Sequence, residues 1–232
     1  MLNPLANVAM YGFVFGILFG AKAPQGINSD LTGFVYFLLC ALLPWNFFSM
    51  IINTGMTSIS GNSGLVRRVA FPREVLVLSN VAHAVVQFLI ELAILITILL
   101  IAGSPLVPFL PIAILLMVML AMFGTGFAFA LSTLSVYFKD MSYLWAILLQ
   151  LWFFITPIVY PPSLLSELPT TFQQLLRLNP MVHFVAAFRD VLYHASFPNL
   201  GRLLVLAVSS IITLSAGWVV FLRLGRRLPE EV

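Results

Sequence analysis

Long apolar stretches separated by short charged ones set the organisation of this chain. Uncharged runs cover residues 1–21, 31–66, 75–90, 92–138, 141–166 and 203–222. A helix of about 20 apolar residues is long enough to cross a bilayer. The pattern therefore predicts six membrane spans, at about 5–20, 34–58, 75–102, 110–136, 143–160 and 201–222.

The spans predict an all-helical integral membrane protein in which residues 1–232 form a single transmembrane domain. The run 92–138 is too long for one helix, and Gly103, Ser104 and Pro105 mark the turn that divides it. No stretch alternates as a barrel strand would, and backbone in lipid must satisfy its own hydrogen bonds. Residues 1–20 lack the basic start of a secretory signal, so we interpret them as a retained span.

The segment 161–198, between spans five and six, contains amphipathic patterns. Asn179-Pro180 is typical of a helix start, and apolar residues then recur at steps of three and four: Met181, Phe184, Val185, Phe188, Val191 and Leu192. A shorter apolar pattern precedes it: Leu164, Leu165, Leu168, Phe172, Leu175 and Leu176. We predict two short helices that lie at the outer interface or re-enter the membrane there. The charges of the segment, Arg189 with Asp190 and Glu167 with Arg177, are expected to stay solvated or salt-bridged.

Lys and Arg residues predict the orientation, because they collect on the cytoplasmic side of membrane proteins. One side of the predicted topology receives seven of them: Arg67, Arg68, Arg73, Lys139, Arg223, Arg226 and Arg227. The other side receives four: Lys22, Arg177, Arg189 and Arg202. The first side is therefore predicted to be cytoplasmic, together with both termini.

Composition excludes several classes of protein. With 61% hydrophobic and 8% charged residues, the chain differs from soluble domains, in which about 25% of residues are charged. A net charge of +3 from scattered cations does not make a nucleic-acid surface. Cys40 is the one cysteine, and His183 and His194 lack metal-ligand spacing, so we predict no disulfide and no metal site.

The loop 60–74 is the most informative stretch, and we call it the coupling loop. It contains Leu65-Val66-Arg67-Arg68 and then Phe71-Pro72-Arg73-Glu74, where Pro72 and Glu74 favour a helix start. By themselves, such basic residues can serve only to fix topology. The run FPREVLVLSN, with Leu-Asn-Pro before the helix that holds Phe188-Arg189-Asp190-Val191-Leu192, resembles the membrane subunit of ABC-2 type exporters. The resemblance covers nearly the whole chain and is greatest to polysaccharide export permeases for O-antigen, capsule, teichoic acid and galactan.

The resemblance implies a permease of the bacterial cytoplasmic membrane that works as a homodimer with two copies of an ATP-binding cassette subunit and exports a lipid-linked polysaccharide. ATP and Mg are then expected in the partner subunit and no cofactor on this chain, which has no Gly-x-x-x-x-Gly-Lys-Ser/Thr loop. Besides that subunit, membrane lipids and no nucleic acid are expected as partners. The contact with the ATP-binding subunit is assigned to the coupling loop, through Arg67, Arg68, Phe71, Pro72, Arg73 and Glu74.

Span three carries a polar stripe, consisting of Asn80, His83, Gln87 and Glu91, at helical steps of three and four. A carboxylate near the middle of a bilayer costs about 2.5 to 3.5 kcal/mol, so Glu91 should face protein or water or be protonated. The stripe can line a sugar channel, relay protons or lock span three to a neighbouring helix. We favour the last interpretation, because intramembrane polar residues commonly join helices.

Aromatic residues supply further candidates for a channel lining, since an aromatic face offers sugar C–H groups a surface on which to slide. Together with three stripe residues, the candidates are Trp45, Phe47, Phe48, His83, Gln87, Glu91, Trp152, Phe153 and Tyr160. In span one, Gly12, Gly16 and Gly20 permit a close helix approach, either within one subunit or at a dimer seam.

Polysaccharide export has three alternatives. The same architecture can export a drug, a lipid or another small molecule. A glycan-processing membrane enzyme would need clustered acids or bases at one membrane face, whereas the acids here are dispersed. A passive channel or scaffold would differ in that no ATP hydrolysis depends on the chain.

Overall fold

The fold of the described residues is entirely helical. The computed structural model describes Met10 and residues 24–29, 31–62, 64, 72–161 and 169–225, without the side chains of Phe172 and Leu175. Within these ranges there are seven α-helices and no strand: α1 (Phe34–Met56), α2 (Glu74–Ile101), α3 (Leu110–Tyr137), α4 (Met141–Ile155), α5 (Thr170–Leu178), α6 (Pro180–Leu192) and α7 (Leu200–Gly225). Short 3-10 turns lie at Ser60–Asn62 and Val107–Phe109. The prediction of an all-helical fold is confirmed for this part of the chain.

Four described helices are long and apolar enough to cross a membrane: α1, α2, α7 and α3 with its preceding 3-10 turn. They coincide with the second, third, fourth and sixth predicted spans. Helix α4 has 15 residues, fewer than the predicted 143–160. At about 1.5 Å per residue it is shorter than a hydrocarbon core of about 30 Å. The predicted span 5–20 lies outside the described residues except for Met10, so the count of six stays a prediction.

The long helices differ in how much of their surface is covered by protein. In the most apolar window of α1, 67% of the residues are buried, against 28% in α2 and 17% in α7. Helix α1 therefore packs mainly against protein, although Pro44 interrupts its hydrogen-bond ladder. Helices α2 and α7 present apolar side chains outward, as helices that face lipid do.

Helix ends follow the local sequence. At the end of α2, Gly103 adopts φ 88° while its N–H donates to Leu100 O and Ser104 N donates to Leu99 O. This pair of hydrogen bonds, with a glycine in the left-handed region, is a common way for a helix to end. The turn predicted here is confirmed. The predicted start of α6 is confirmed as well, because Asn179 caps the helix by accepting a 3.0 Å hydrogen bond from Met181 N and Pro180 is the first residue.

The chain divides into two compact units. Unit 1 comprises Met1–Asn46, Phe88–Met117 and Trp152–Leu206, and unit 2 comprises Phe47–Gln87, Val118–Leu151 and Ala207–Val232. Unit 1 contains α5 and α6, and the apolar face of α6 is fully buried. The predicted single domain stays a prediction.

In unit 2, helices α3 and α7 approach each other closely. A Cβ added at Gly217 would overlap the backbone of Gly126, and one added at Gly126 would overlap the backbone of Thr213. Ser210 Oγ also donates a 2.8 Å hydrogen bond to Met119 O of the facing helix. Small residues and a polar bridge therefore join the two helices, as in close membrane helix pairs.

Candidate functional site

Arg189 lies on the buried face of α6, where it organises unit 1. It follows Val185 by four residues and precedes Leu192 by three, so helical periodicity places it among apolar side chains. Only 3% of its surface is exposed. Its Nη1 donates to Pro157 O at 2.5 Å, its Nη2 to Ile158 O at 2.6 Å and its Nε to Phe37 O at 3.3 Å. The guanidinium carbon also lies 3.6 Å from the centre of the Phe37 ring.

These contacts make Arg189 a clamp between α6, the start of α1 and the chain that follows α4. A planar guanidinium suits this task, because its donors fan out toward several acceptors at once. Burial lowers the pKa of Arg189 to about 9, which still leaves it protonated near neutral pH. Its charge is therefore retained inside the protein and is compensated by carbonyl dipoles and an aromatic face.

Asp190 pairs with Arg202 of α7 rather than with its neighbour Arg189. Burial raises the pKa of Asp190, and Arg202 opposes that rise. The expectation that Arg189 stays solvated or salt-bridged was wrong, because its side chain points into the protein and meets carbonyl oxygens. Its position one turn after Val185 was the signal that could have revealed this. The suggested pairing of Glu167 with Arg177 is not tested, since Glu167 lies outside the described residues.

The chain before α1 wraps the end of α6, an arrangement that the sequence did not suggest. The Tyr193 hydroxyl lies 2.8 Å from the carbonyl oxygens of both Pro24 and Leu31. Asn28 donates from its backbone to His194 O and from its side chain to Ala195 O, and Ser29 Oγ bonds to Tyr193 O. Pro24, Asn28, Ser29 and Leu31 therefore fix the position at which α6 ends.

A cavity of about 450 Å³ opens beside these residues in unit 1. Its charged and titratable lining comes from α5, α6, α7 and the α6–α7 connection, namely Arg177, His183, Arg189, Asp190, His194 and Arg202. Burial lowers the pKa of His194 and the charge of Arg189 lowers it further, so His194 is neutral near pH 7. We call this space the basic cavity. Among the described residues of its lining, three arginines against one aspartate give an excess of positive charge.

Trp152, a predicted channel residue, links α4 to the cap of α6. Its Nε1 donates a 2.9 Å hydrogen bond to Asn179 Oδ1. Trp45 packs edge-on against Trp152 and Phe153, with ring centres 6.3 and 5.6 Å apart. The structure thus brings three of the predicted aromatic residues into one cluster.

The remaining aromatic candidates, Phe47, Phe48 and Tyr160, have other contacts than this cluster. In unit 2, Phe48 is fully buried and stacks on Phe123 at 5.5 Å, and Phe47 is buried as well. The Tyr160 hydroxyl donates to Phe154 O at 2.9 Å, near the end of α4. Because Phe47 and Phe48 contact protein within this chain, they would face a channel only if helices parted. Their channel role stays a prediction.

The residues of the polar stripe all belong to α2. Asn80 bonds back to Leu76 O of its own helix at 2.9 Å, and His83 is exposed. Gln87 and Glu91 are partly buried. Among the described residues, no group of three or more His, Cys, Asp or Glu side chains is arranged to hold a metal ion.

Of the coupling loop, the structure describes residues 60–62, 64 and 72–74. Arg67, Arg68 and Phe71 lie outside the described residues, as do Gly12, Gly16 and Gly20. Pro72 is exposed, and Glu74 opens α2 as an acidic residue in its first turn. There it stabilises the positive end of the helix dipole.

Arg73 is anchored within unit 2. Its Nη1 donates a 2.6 Å hydrogen bond to Gly225 O at the end of α7. Tyr137, at the end of α3, donates to the adjacent Leu224 O at 3.0 Å. A helix leaves its last carbonyls without partners inside the helix, and a cation there is favoured by the dipole. The last turn of α7 is therefore tied to the beginning of α2 and the end of α3.

Comparison with known proteins places these features in a family. The chain is 28% identical over 234 residues to an O-antigen export system permease protein of Myxococcus xanthus, an alignment that covers 100% of this chain and 85% of that protein. It is 25% identical over 229 residues to an O-antigen export system permease protein of Klebsiella pneumoniae, covering 98% of this chain and 84% of that protein. It is 27% identical over 227 residues to a polysialic acid transport protein of Escherichia coli, covering 95% and 83%.

The family assignment rests on a match over most of the sequence. Residues 1–193 match the model of the family described as ABC-2 type transporter. The four long apolar helices agree with a membrane protein of this kind. This chain belongs to the ABC-2 type transporter membrane family.

Proposed function

We propose that this chain is the permease subunit of an exporter that moves a lipid-linked polysaccharide out across the bacterial cytoplasmic membrane. The observation that carries the proposal is similarity, over 95% or more of this chain, to proteins named as O-antigen export permeases and as a polysialic acid transport protein. The long apolar helices α1, α2, α3 and α7 support a role within the bilayer.

Energy for transport comes from a partner in this proposal. The sequence has no Gly-x-x-x-x-Gly-Lys-Ser/Thr loop to hold nucleotide phosphates. Two copies of an ATP-binding cassette subunit therefore bind ATP and Mg, while this chain binds no cofactor and is not itself an enzyme. Two copies of the chain, each with six spans and both termini in the cytoplasm, form the membrane part. Gly12, Gly16 and Gly20 are candidates for the seam between the copies.

The coupling loop is proposed to receive the movement of the ATP-binding subunit. Its positive residues and Phe71 offer a charged rim and an apolar plug for a groove on that partner. The hydrogen bond from Arg73 to Gly225 O supports this role, because a displaced loop would pull on the end of α7 as well as on α2. Closure around ATP would in this way shift more than one span.

The interface is tested by reversing charge in the loop. We expect Arg67→Asp with Arg68→Asp to abolish co-purification of the ATP-binding subunit and to lower export at least tenfold, because like charges replace complementary ones. The matched control is Arg223→Asp, which reverses an exposed arginine of α7 outside the loop and should leave assembly intact. Intact assembly and full ATP-driven export in the double variant would exclude this interface.

Cargo is tested separately from assembly. Deletion of the chain in its native host should remove one surface polysaccharide and leave the lipid-linked polymer inside the cell. Loss of resistance to a drug, or of a membrane lipid, with normal surface glycan would instead favour export of a small molecule. Accumulation of unpolymerised glycan would favour a glycan-processing enzyme.

A further inference from the structure

Half of the described cations meet at one place in the protein. The described Lys and Arg residues are Arg73, Lys139, Arg177, Arg189, Arg202 and Arg223. Of these, Arg177, Arg189 and Arg202 line the basic cavity. They come from three different helices, so their convergence results from the tertiary fold rather than from a local run of charge. Among the described residues of the lining, Asp190 is the one acidic residue.

The three arginines differ in how firmly they are held. Arg189 is fixed by three carbonyl oxygens, and Arg202 is paired with Asp190. Arg177 is exposed at the end of α5, with His183 Nε2 lying 2.7 Å from its carbonyl oxygen. The cavity therefore combines one cation held by carbonyl oxygens, one paired with a carboxylate and one that is exposed.

One lining residue, His194, carries a buried polar atom that has no partner among the described residues. The Nδ1 atom of His194 is buried without a hydrogen bond there. Buried polar atoms in proteins are usually hydrogen-bonded, so this atom requires a partner that the described residues do not supply. The cavity walls also include the apolar residues Phe37, Pro157 and Val182.

We propose that the basic cavity binds a phosphate-bearing anion. Arginine guanidinium groups match the geometry of phosphate oxygens and bind them through paired, charge-assisted hydrogen bonds. The volume of about 450 Å³ falls within the range of about 300–1,000 Å³ that is usual for small-molecule sites. It accommodates a diphosphate or a phosphorylated lipid headgroup. A neutral sugar would leave the excess positive charge of the lining uncompensated.

Three sources share this chemistry: the phosphate group of a lipid-linked cargo, the headgroup of a membrane phospholipid, and free phosphate or pyrophosphate. The first of these rests on the proposed export function. The binding experiment uses no ATP and no export assay, so the site and the export function can fail independently.

The experiment measures radiolabelled pyrophosphate retained by the full chain, purified in detergent with any subunits that accompany it. The first variant is Arg177→Gln, which removes an exposed cation. The second combines Arg202→Gln with Asp190→Asn, which removes the pair without leaving an unpaired acid. Arg223→Gln removes an exposed arginine outside the cavity and is the matched control. Size-exclusion profiles verify folding, and Arg177→Gln decides the matter if the double variant is not monodisperse.

We expect saturable retention by the unaltered chain and by Arg223→Gln, and weakening of roughly tenfold for Arg177→Gln, the usual effect of losing a hydrogen bond to a charged group. Displacement by farnesyl pyrophosphate but not by phosphatidylglycerol identifies a lipid-linked phosphate as the ligand class. Equal displacement by phosphatidylglycerol identifies a phospholipid headgroup, and displacement by inorganic phosphate alone identifies the free anion. The proposal is overturned if the unaltered chain retains no pyrophosphate, or if Arg177→Gln behaves like Arg223→Gln.

Discussion

At the scale of single residues, Arg189 shows how a charge can be structural inside an apolar element. Removing its guanidinium would leave the carbonyl oxygens of Pro157 and Ile158 without their donors in a buried setting. Each such loss costs about 1–3 kcal/mol. The clamp joins three parts of unit 1, so its removal should loosen the attachment of α6.

We predict that Arg189→Gln lowers the melting temperature in detergent, with a loss of at least about 2 kcal/mol in the free energy of unfolding. Arg189→Lys should lose less, because it retains the charge but not the planar array of donors. The measurement is thermal unfolding followed by fluorescence-detected size exclusion. Arg223→Lys, at an exposed position, serves as the control. A melting temperature for Arg189→Gln equal to that of the unaltered chain would contradict the clamp.

Local contacts of single residues could be predicted from the sequence, whereas long-range contacts could not. The cap at Asn179 and the glycine turn at Gly103 were predictable, because both depend on neighbours within a few positions. The partners of Arg189 were not, since Phe37 is 152 positions away and Pro157 is 32. Long-range partners depend on how the helices pack, and periodicity carries no information about packing.

At the scale of elements, the sequence predicts where the helices begin and end but not which helices pack against each other. The apolar runs predicted the first and last residues of α1, α2, α3 and α7 to within a few positions. This was possible because the backbone in lipid has few alternatives to a helix. Helix α4 ended earlier than predicted, at Ile155, shortly before Pro157 and the residues that hold Arg189. The crossing at Gly126 and Gly217 was not predicted, since glycines within an apolar run do not identify their partner.

We predict that Gly217→Ala destabilises the pairing of α3 with α7. The added methyl would overlap the backbone of Gly126, and backbone cannot move aside as a flexible side chain can. Overpacking of this kind costs about 1–3 kcal/mol, which exceeds the gain of about 1 kcal/mol in helix propensity. The melting temperature in detergent should therefore fall.

The matched control for this variant is Gly61→Ala, where an added Cβ meets nothing within 4 Å. Its melting temperature should stay close to that of the unaltered chain. Equal melting temperatures for Gly217→Ala and Gly61→Ala would mean that the two helices do not cross at this point.

At the scale of the whole molecule, family membership could be predicted from the sequence, whereas the internal organisation could not. The motif around Phe71-Pro72-Arg73-Glu74 and the helix with Arg189-Asp190 pointed to ABC-2 type exporters, which the family match confirms. The division into two compact units and the convergence of three arginines on one cavity depend on contacts between distant segments. The apolar spans and the loop motif therefore indicated the class of protein but not the contacts within it.

The central claim is that this chain carries a lipid-linked polysaccharide across the membrane at the expense of ATP. It is tested most directly in inside-out membrane vesicles from the native host, with the lipid-linked glycan on the outer surface of the vesicles. Resistance of the glycan to an added glycosidase measures its entry. We predict that ATP, and not a non-hydrolysable analogue, makes the glycan resistant in vesicles with the chain and leaves it sensitive in vesicles without it. Equal sensitivity with and without the chain in the presence of ATP would contradict the account.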